Sequence, residues 1–174
     1  MSEIIVRALT EDDWEQYRGV RLAALEDSPG AFVATLEQEK GYDEQFWRER
    51  LMRSQRLIAE VEGKAVGVAS VGQASGGNSD VAELFGLWVA PDSRGAGVAT
   101  RLVQAGADAA RRAGRTHLAY WVGTDNGRGV AFASGVGFRP TDSRRPMRVV
   151  SDEDGDEEIA MVLALGQDRG VPTL

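Results

Sequence analysis

The stretch from Val81 to Ala113 constrains this chain most. Val81-Ala82-Glu83-Leu84-Phe85-Gly86-Leu87-Trp88-Val89 reads as a strand, and Pro91 ends it. Arg94-Gly95-Ala96-Gly97 then makes a glycine-rich turn. A helix is predicted from Gly97 to Ala113, because Val98, Leu102, Ala105 and Ala109 share one face at helical spacing. A strand that turns into a helix in this way leaves the first helical N–H groups without intrahelical partners, at the positive end of the helix dipole. Glycines let a ligand come close to that backbone. The result is a cradle for phosphate made of main chain, which works even in an acidic protein.

The flanking elements decide which fold carries the cradle. Ile4 to Leu9 reads as a first strand, and Thr10 can cap a helix in which Trp14, Tyr17, Val20 and Ala24 share a face. Ser28-Pro29-Gly30 stops that helix, and Asp43 to Arg53 is predicted as a second one. Arg56–Val61 and Ala65–Val71 around Glu62-Gly63-Lys64 form a hairpin. After the central helix come a strand at Thr116–Val122, a short helix at Asn126–Gly135, and two closing strands, from Phe138 onward and at Glu157–Leu165. Hairpins in the first half and one strand–helix–strand unit in the second imply an α+β fold with a mixed, mostly antiparallel sheet.

Composition removes several classes of function. The 174 residues make one domain's worth of chain, 43% hydrophobic and 27% charged. There is no cysteine and one histidine, which excludes thiol nucleophiles and any cysteine or multi-histidine metal site. His117 alternates with Ala119 and Trp121 on a strand and reads as a structural histidine. A net charge of −7 argues against nucleic acid as a partner and mildly favours a cationic small molecule. Part of that charge is the run Asp152–Glu158, six acidic residues in seven, which reads as a solvated turn. No apolar run is long enough for a membrane helix, and Met1–Ile5 lacks a signal-peptide pattern, so a cytoplasmic, membrane-free protein is expected.

The turn has neither the Gly-Lys-Ser/Thr of a Walker loop nor the third glycine of a dinucleotide fingerprint, since Thr100 stands there. Arg94-Gly95-Ala96-Gly97-Val98-Ala99 instead resembles the R/Q-x-x-G-x-G/A motif of the GCN5-related N-acetyltransferase (GNAT) superfamily. Ala82–Val89 and Pro91 resemble that family's fourth strand and turn, and Asn126-Gly127-Arg128-Gly129 before Gly137-Phe138 resembles its N-x-R-A…G-F signature. The resemblance covers about Ile4 to Leu165. It implies one acetyltransferase-like domain over residues 1–174, with about seven strands and four helices packed on both sheet faces.

It also implies acetyl-CoA as acyl donor. Backbone amides of Arg94, Gly95, Ala96, Gly97, Val98, Ala99 and Thr100 would hold the pyrophosphate. Leu87, Trp88 and Val89 would pair with the pantetheine arm, in a splay between the fourth and fifth strands. The Val89 N–H is the candidate to polarise the thioester carbonyl. Asn126, Arg128 and Phe132 would line the far side of the groove, although Asn126 can equally cap its helix and Phe132 can equally be core.

An amine must be neutral to attack. With a lysine-like pKa only about 4 in 10,000 are neutral at pH 7, or about 4.6 kcal/mol of barrier. A carboxylate removes that obstacle by taking the proton. Glu83 is the candidate, placed by strict strand alternation on the side of Phe85, Leu87 and Val89 among apolar neighbours. Many family members place a tyrosine seven residues after the signature asparagine to protonate the leaving thiolate; here that position is Ala133. Tyr120 is the substitute on the fifth strand.

Without cysteine, direct transfer to a primary amine of a small molecule in a ternary complex is expected. The alternatives are a non-catalytic acyl-CoA-binding regulatory module, favoured by Ala133, and a protein or peptide lysine acetyltransferase. Acceptor specificity is expected from Phe32–Gly41 and Arg139–Val150, where Arg144, Arg145 and Arg148 either meet an acceptor carboxylate or form a solvated face. Homodimers are common in the family and are a possible assembly.

Overall fold

The computed structural model describes residues 3–74, 77–146, 157–166, 170–172 and 174. The element order is β1 (Ile4–Ala8), α1 (Trp14–Asp27), α2 (Leu36–Lys40), α3 (Glu44–Arg53), β2 (Gln55–Val61), β3 (Lys64–Gln73), β4 (Val81–Val89), α4 (Val98–Arg112), β5 (His117–Gly123), α5 (Gly127–Gly135), β6 (Arg139–Pro146) and β7 (Glu157–Ala164). The strands form one seven-stranded sheet in the order β1-β2-β3-β4-β5-β7-β6. Only β4 and β5 run parallel, joined through α4; the other neighbours are antiparallel.

The helices divide between the faces. Leu57, Leu84, Val98, Leu102, Val103, Leu118 and Phe138 form the core under α4 and α5. Tyr17, Val20, Trp47, Ile58, Val68 and Trp88 form a second core under α1 and α3. Each such aliphatic or aromatic side chain, once buried, contributes roughly 1.5–3 kcal/mol. Gly67 on β3 lets α4 start against the sheet, since a Cβ there would lie 2.9 Å from Val98 Cγ1 and 3.1 Å from the Trp88 carbonyl oxygen. That close approach places the N-terminus of α4 beside the end of β4. No helix among the described residues is long and apolar enough to cross a membrane.

Two details depart from the expectation. The short helix α2 lies between the two anticipated in the first half. Its start is a capping box: the Gln38 N–H donates to Thr35 Oγ1 (3.2 Å), and the Thr35 N–H donates to Gln38 Oε1 (3.0 Å). The second detail is a bulge. Val68 pairs with Trp88 and Ser70 with Phe85, so β4 carries one residue more than β3 over that interval. Gly86, with φ +64°, absorbs it in a left-handed conformation that a side chain would strain.

Candidate active site

The bulge reverses the side-chain parity of β4. Ala82 and Leu84 face the α4 side before it, and Leu87 and Val89 face that side after it. Glu83 and Phe85 therefore share the α1 side with Trp88, not with Leu87 and Val89 as strict alternation required. The bulge thus divides the strand's tasks, leaving an acid on one face and turning the last residues to the other.

The strands part at the same level. The β4–β5 ladder runs from Val81↔His117 to Leu84↔Tyr120 and then stops, although both strands continue. Beyond it, the Ala90 N–H donates to the Val66 carbonyl at 2.8 Å. Antiparallel alternation then turns the Val89 N–H and C=O away from β3, into the splay. The Val89 carbonyl there accepts from Arg94 Nε at 2.9 Å.

The cradle lies at the mouth of this splay. Gly95 and Gly97 have φ of +81° and +89°, and a Cβ at either would meet no protein atom within 4 Å. The space they face is open to a ligand. The first intrahelical donor of α4 is the Arg101 N–H, to Gly97 O at 3.1 Å, which leaves the Val98, Ala99 and Thr100 amides at the helix mouth. The Arg94 amide departs from the expected set, because it donates to the Pro91 carbonyl at 3.4 Å. The Arg94 side chain braces the turn instead: Nη2 meets Asp27 Oδ2 at 2.6 Å, and that oxygen also accepts from Trp88 Nε1 at 3.0 Å. Hydrogen bonds from Ser28, Trp88 and Arg94 hold the Asp27 carboxyl down to about 2.

On the far wall, Asn126 Oδ1 accepts the Gly129 N–H at 2.9 Å and so caps α5, while the residue also lines the cavity. Arg128 is exposed, and Phe132 packs half-buried against the α4 core. Ala133 is fully buried in that core.

A cavity of about 720 Å³ runs from the splay to the α1 side. Leu84, Tyr120 and Val122 line it from one face of the sheet, and Glu83, Phe85, Trp121, Arg145 and Glu158 from the other. Phe32 and Val33, after α1, close it. Glu83 is 6% exposed, and its neighbour is a cation rather than an apolar wall: Arg145 Nη2 lies 3.8 Å from Glu83 Oε1. Arg145 Nε donates to Glu158 Oε2 at 2.8 Å, and its guanidinium lies 4.1 Å from the centroid of Trp121. An arginine from β6 thus reaches over β7 and β5 to β4.

Arg145 is consequently not part of a solvated face, whereas Arg144 is exposed and Arg148 lies outside the described residues. Glu158 likewise leaves the expected solvated turn and joins β7 at the cavity, while Asp152–Asp156 lie outside the described residues. Tyr120 packs near Phe138, with centroids 6.0 Å apart, and burial, then the charge of Glu158, raise its pKa. His117 is buried, with Nδ1 2.9 Å from Thr116 Oγ1, and is not among the cavity residues.

Comparison with known proteins supplies the family. The model of the acetyltransferase (GNAT) family matches residues 7–138. An uncharacterized N-acetyltransferase of Methanocaldococcus jannaschii is 26% identical over 136 residues, which is 76% of this chain and 59% of that protein's length. The chain therefore spans under two thirds of that relative. The structure of yncA from Salmonella typhimurium, a putative acetyltransferase with its cofactor acetyl-CoA, superimposes with a TM-score of 0.71 at 19% identity, covering 96% of each chain. The PaiA N-acetyltransferase of Thermoplasma acidophilum, in complex with coenzyme A, gives 0.67 at 17% identity, covering 93% of this chain and 99% of that one. A parted β4–β5 pair, a left-handed glycine turn at a helix mouth and the matched residues thus converge: the chain belongs to the GNAT acetyltransferase family.

Proposed function

We propose that this chain is an acetyl-CoA-dependent N-acetyltransferase that moves acetyl directly to a primary amine of a small molecule in a ternary complex. The observation that carries the reading is the cavity, which reaches both faces of the sheet where β4 and β5 part, with Leu87 and Tyr120 on the face that α4 covers and Glu83 and Glu158 on the other. The amides of Gly95 to Thr100 hold the pyrophosphate. Leu87 to Val89 pair with the pantetheine arm, and Asn126, Arg128 and Phe132 form the facing wall. The bound thioester supplies the acetyl group.

The Val89 N–H donates to the thioester carbonyl oxygen and favours charge developing there. Glu83, directly or through water, takes the proton that the ammonium must lose. As the new C–N bond forms, the C–S bond breaks and its electron pair stays on sulfur. Tyr120, whose pKa is raised, gives a proton to that sulfur and is reprotonated by the second proton that the nitrogen loses as the amide forms, while the first passes from Glu83 to solvent. The net charge of −7 and the Glu83 and Glu158 carboxylates at the cavity support a cationic small molecule over nucleic acid, and a cytoplasmic setting belongs to the same proposal.

A second reading, a non-catalytic acyl-CoA-binding module, is favoured by Ala133, which fills the usual tyrosine position with a fully buried methyl group. Calorimetry with acetyl-CoA, followed by detection of free CoA thiol with an amine panel, separates the two. Binding with amine-dependent thiol release supports the enzyme, and binding without release from any amine supports the module. Absence of binding, with Gly97→Glu indistinguishable from the parent, removes both.

A further inference from the structure

The cavity wall is polar in the electrical sense. At its β4–β7–β6 end, among the described residues, two carboxylates, Glu83 and Glu158, flank one guanidinium, Arg145. Where α1 faces β2 and β3 the balance is reversed. Arg21 lines the cavity there, and its Nε and Nη2 donate to Glu39 at 3.0 and 2.9 Å. Arg50 Nη1 donates to the same carboxylate at 2.8 Å, and Glu39 is 0% exposed. Burial alone would raise the Glu39 pKa; hydrogen bonds and charge from Arg21 and Arg50 outweigh it and hold the carboxylate ionised.

Arg56 completes this cluster. It is 7% exposed, and its donors go to neutral oxygens: Nη1 to Ser70 Oγ at 2.8 Å, Nε and Nη2 to the Arg50 carbonyl at 3.3 and 3.2 Å. Its guanidinium lies 5.6 Å from the Tyr17 centroid and 5.4 Å from that of Phe85. Burial pushes Arg56 below its ordinary value; Tyr17 opposes the shift, and the charges of Arg50, Arg21 and Arg53 add to it. Arg21 and Arg50 thus share the Glu39 carboxylate, and Arg56 stands beside them on neutral oxygens. A buried guanidinium stays protonated and is costly to hold without a counter-ion. Arg56 pairs with Ser70 and Ser70 with Phe85 across the sheet, and Glu83 lies two residues along β4 from Phe85. The cation-rich pole and the acid-rich pole therefore flank the Phe85 ring.

We propose that the acceptor is an amino carboxylate, of the amino-acid class. Its ammonium sits at Glu83 and Glu158, and its carboxylate sits at Arg21, with Arg56 behind Phe85 adding to the field. The inference rests on the acetyltransferase reading and narrows its acceptor. A plain amine would satisfy one pole and leave the other with cations in excess. A diamine would bring a second cation against them.

The test offers the common amino acids, each beside its carboxamide and its decarboxylated amine, and measures acetyl-CoA-dependent thiol release. At least one acid is expected to exceed both counterparts that lack the carboxylate by about tenfold in kcat/KM, the scale of one charge-assisted hydrogen bond. Arg21→Gln should collapse that ratio towards one, mainly through the KM of the acid. Arg56→Lys should retain more of the ratio than Arg56→Met, with circular dichroism and acetyl-CoA calorimetry confirming that each variant folds. Decarboxylated amines matching or beating every acid, or an unchanged ratio in Arg21→Gln, overturns the inference while leaving the acetyltransferase standing. Acetyl-CoA binding with no thiol release from any amine overturns both.

Discussion

The two halves of the site are made of different material. The cradle on the α4 side is main chain: the amides after Gly95 and the first turn of α4, with glycines chosen for what they lack. The chamber on the α1 side is side chain: Arg21 from α1, Glu83 and Phe85 from β4, Trp121 from β5, Arg145 from β6 and Glu158 from β7. A main-chain site is carried whole by a few consecutive residues and is indifferent to most of their side chains. A side-chain site exists only where strands meet, and one substitution can change its ligand. On the proposed function, the donor half is built for one molecule, and the acceptor half for change.

The contrast can be broken by substitution. Gly97→Glu should weaken acetyl-CoA binding about a hundredfold or more in calorimetry, because it strains a left-handed residue and puts a carboxylate at an anion site. Retained binding would mean that the cradle is not main chain after all. Glu83→Gln should lower kcat about tenfold or more while acetyl-CoA affinity survives, since it removes a proton acceptor from the other half. Equal damage to both measurements would erase the division. Tyr120→Phe, at the boundary, should cost about tenfold in kcat at most, because a thiol is already a fair leaving group. An undiminished kcat would take Tyr120 out of the mechanism.

Smaller effects sharpen the contrast. Thr35→Ala removes the capping hydroxyl of α2 and should cost about 1 kcal/mol in urea unfolding. The KM of the amine should rise with little change in acetyl-CoA affinity, because the Glu39 that α2 carries orders Arg21. Asp27 braces the cradle from α1 with a carboxyl lowered from 3.8 to about 2. A depressed pKa in the folded state means stability that is complete above the ordinary carboxylate range and lost as pH falls from about 4 towards 2. Asp27→Asn should flatten that loss, measured as urea midpoints across the same interval.

The same difference in material explains what could be read from the chain. Val98, Leu102 and Ala109 show a helix face, and Arg94–Ala99 shows the cradle, because both signals are local. The alternation Glu83, Phe85, Leu87 fails because the bulge depends on how β3 pairs, although Gly86 within the strand is its trace. The capping box Thr35–Gln38 was present as a short motif for a helix too brief to show a face. Glu158 looked like one more acid in a solvated run; only the β6–β7 register, which pairs it with Arg145, carries it into the chamber. Arg21, Glu39 and Arg56 carry no local signal at all, since their meeting depends on α1, α2 and β2 folding together.

The early end of the β4–β5 ladder has a further consequence. A sheet is ordinarily a wall, and molecules on its two sides do not meet. Here the wall has a window past Leu84 and Tyr120, with a lobby on each side. On the proposed function, two visitors use it from opposite doors, touch at the sill and leave by the way they came. Neither has to queue behind the other. In this arrangement, crowding in one lobby slows traffic through that door alone.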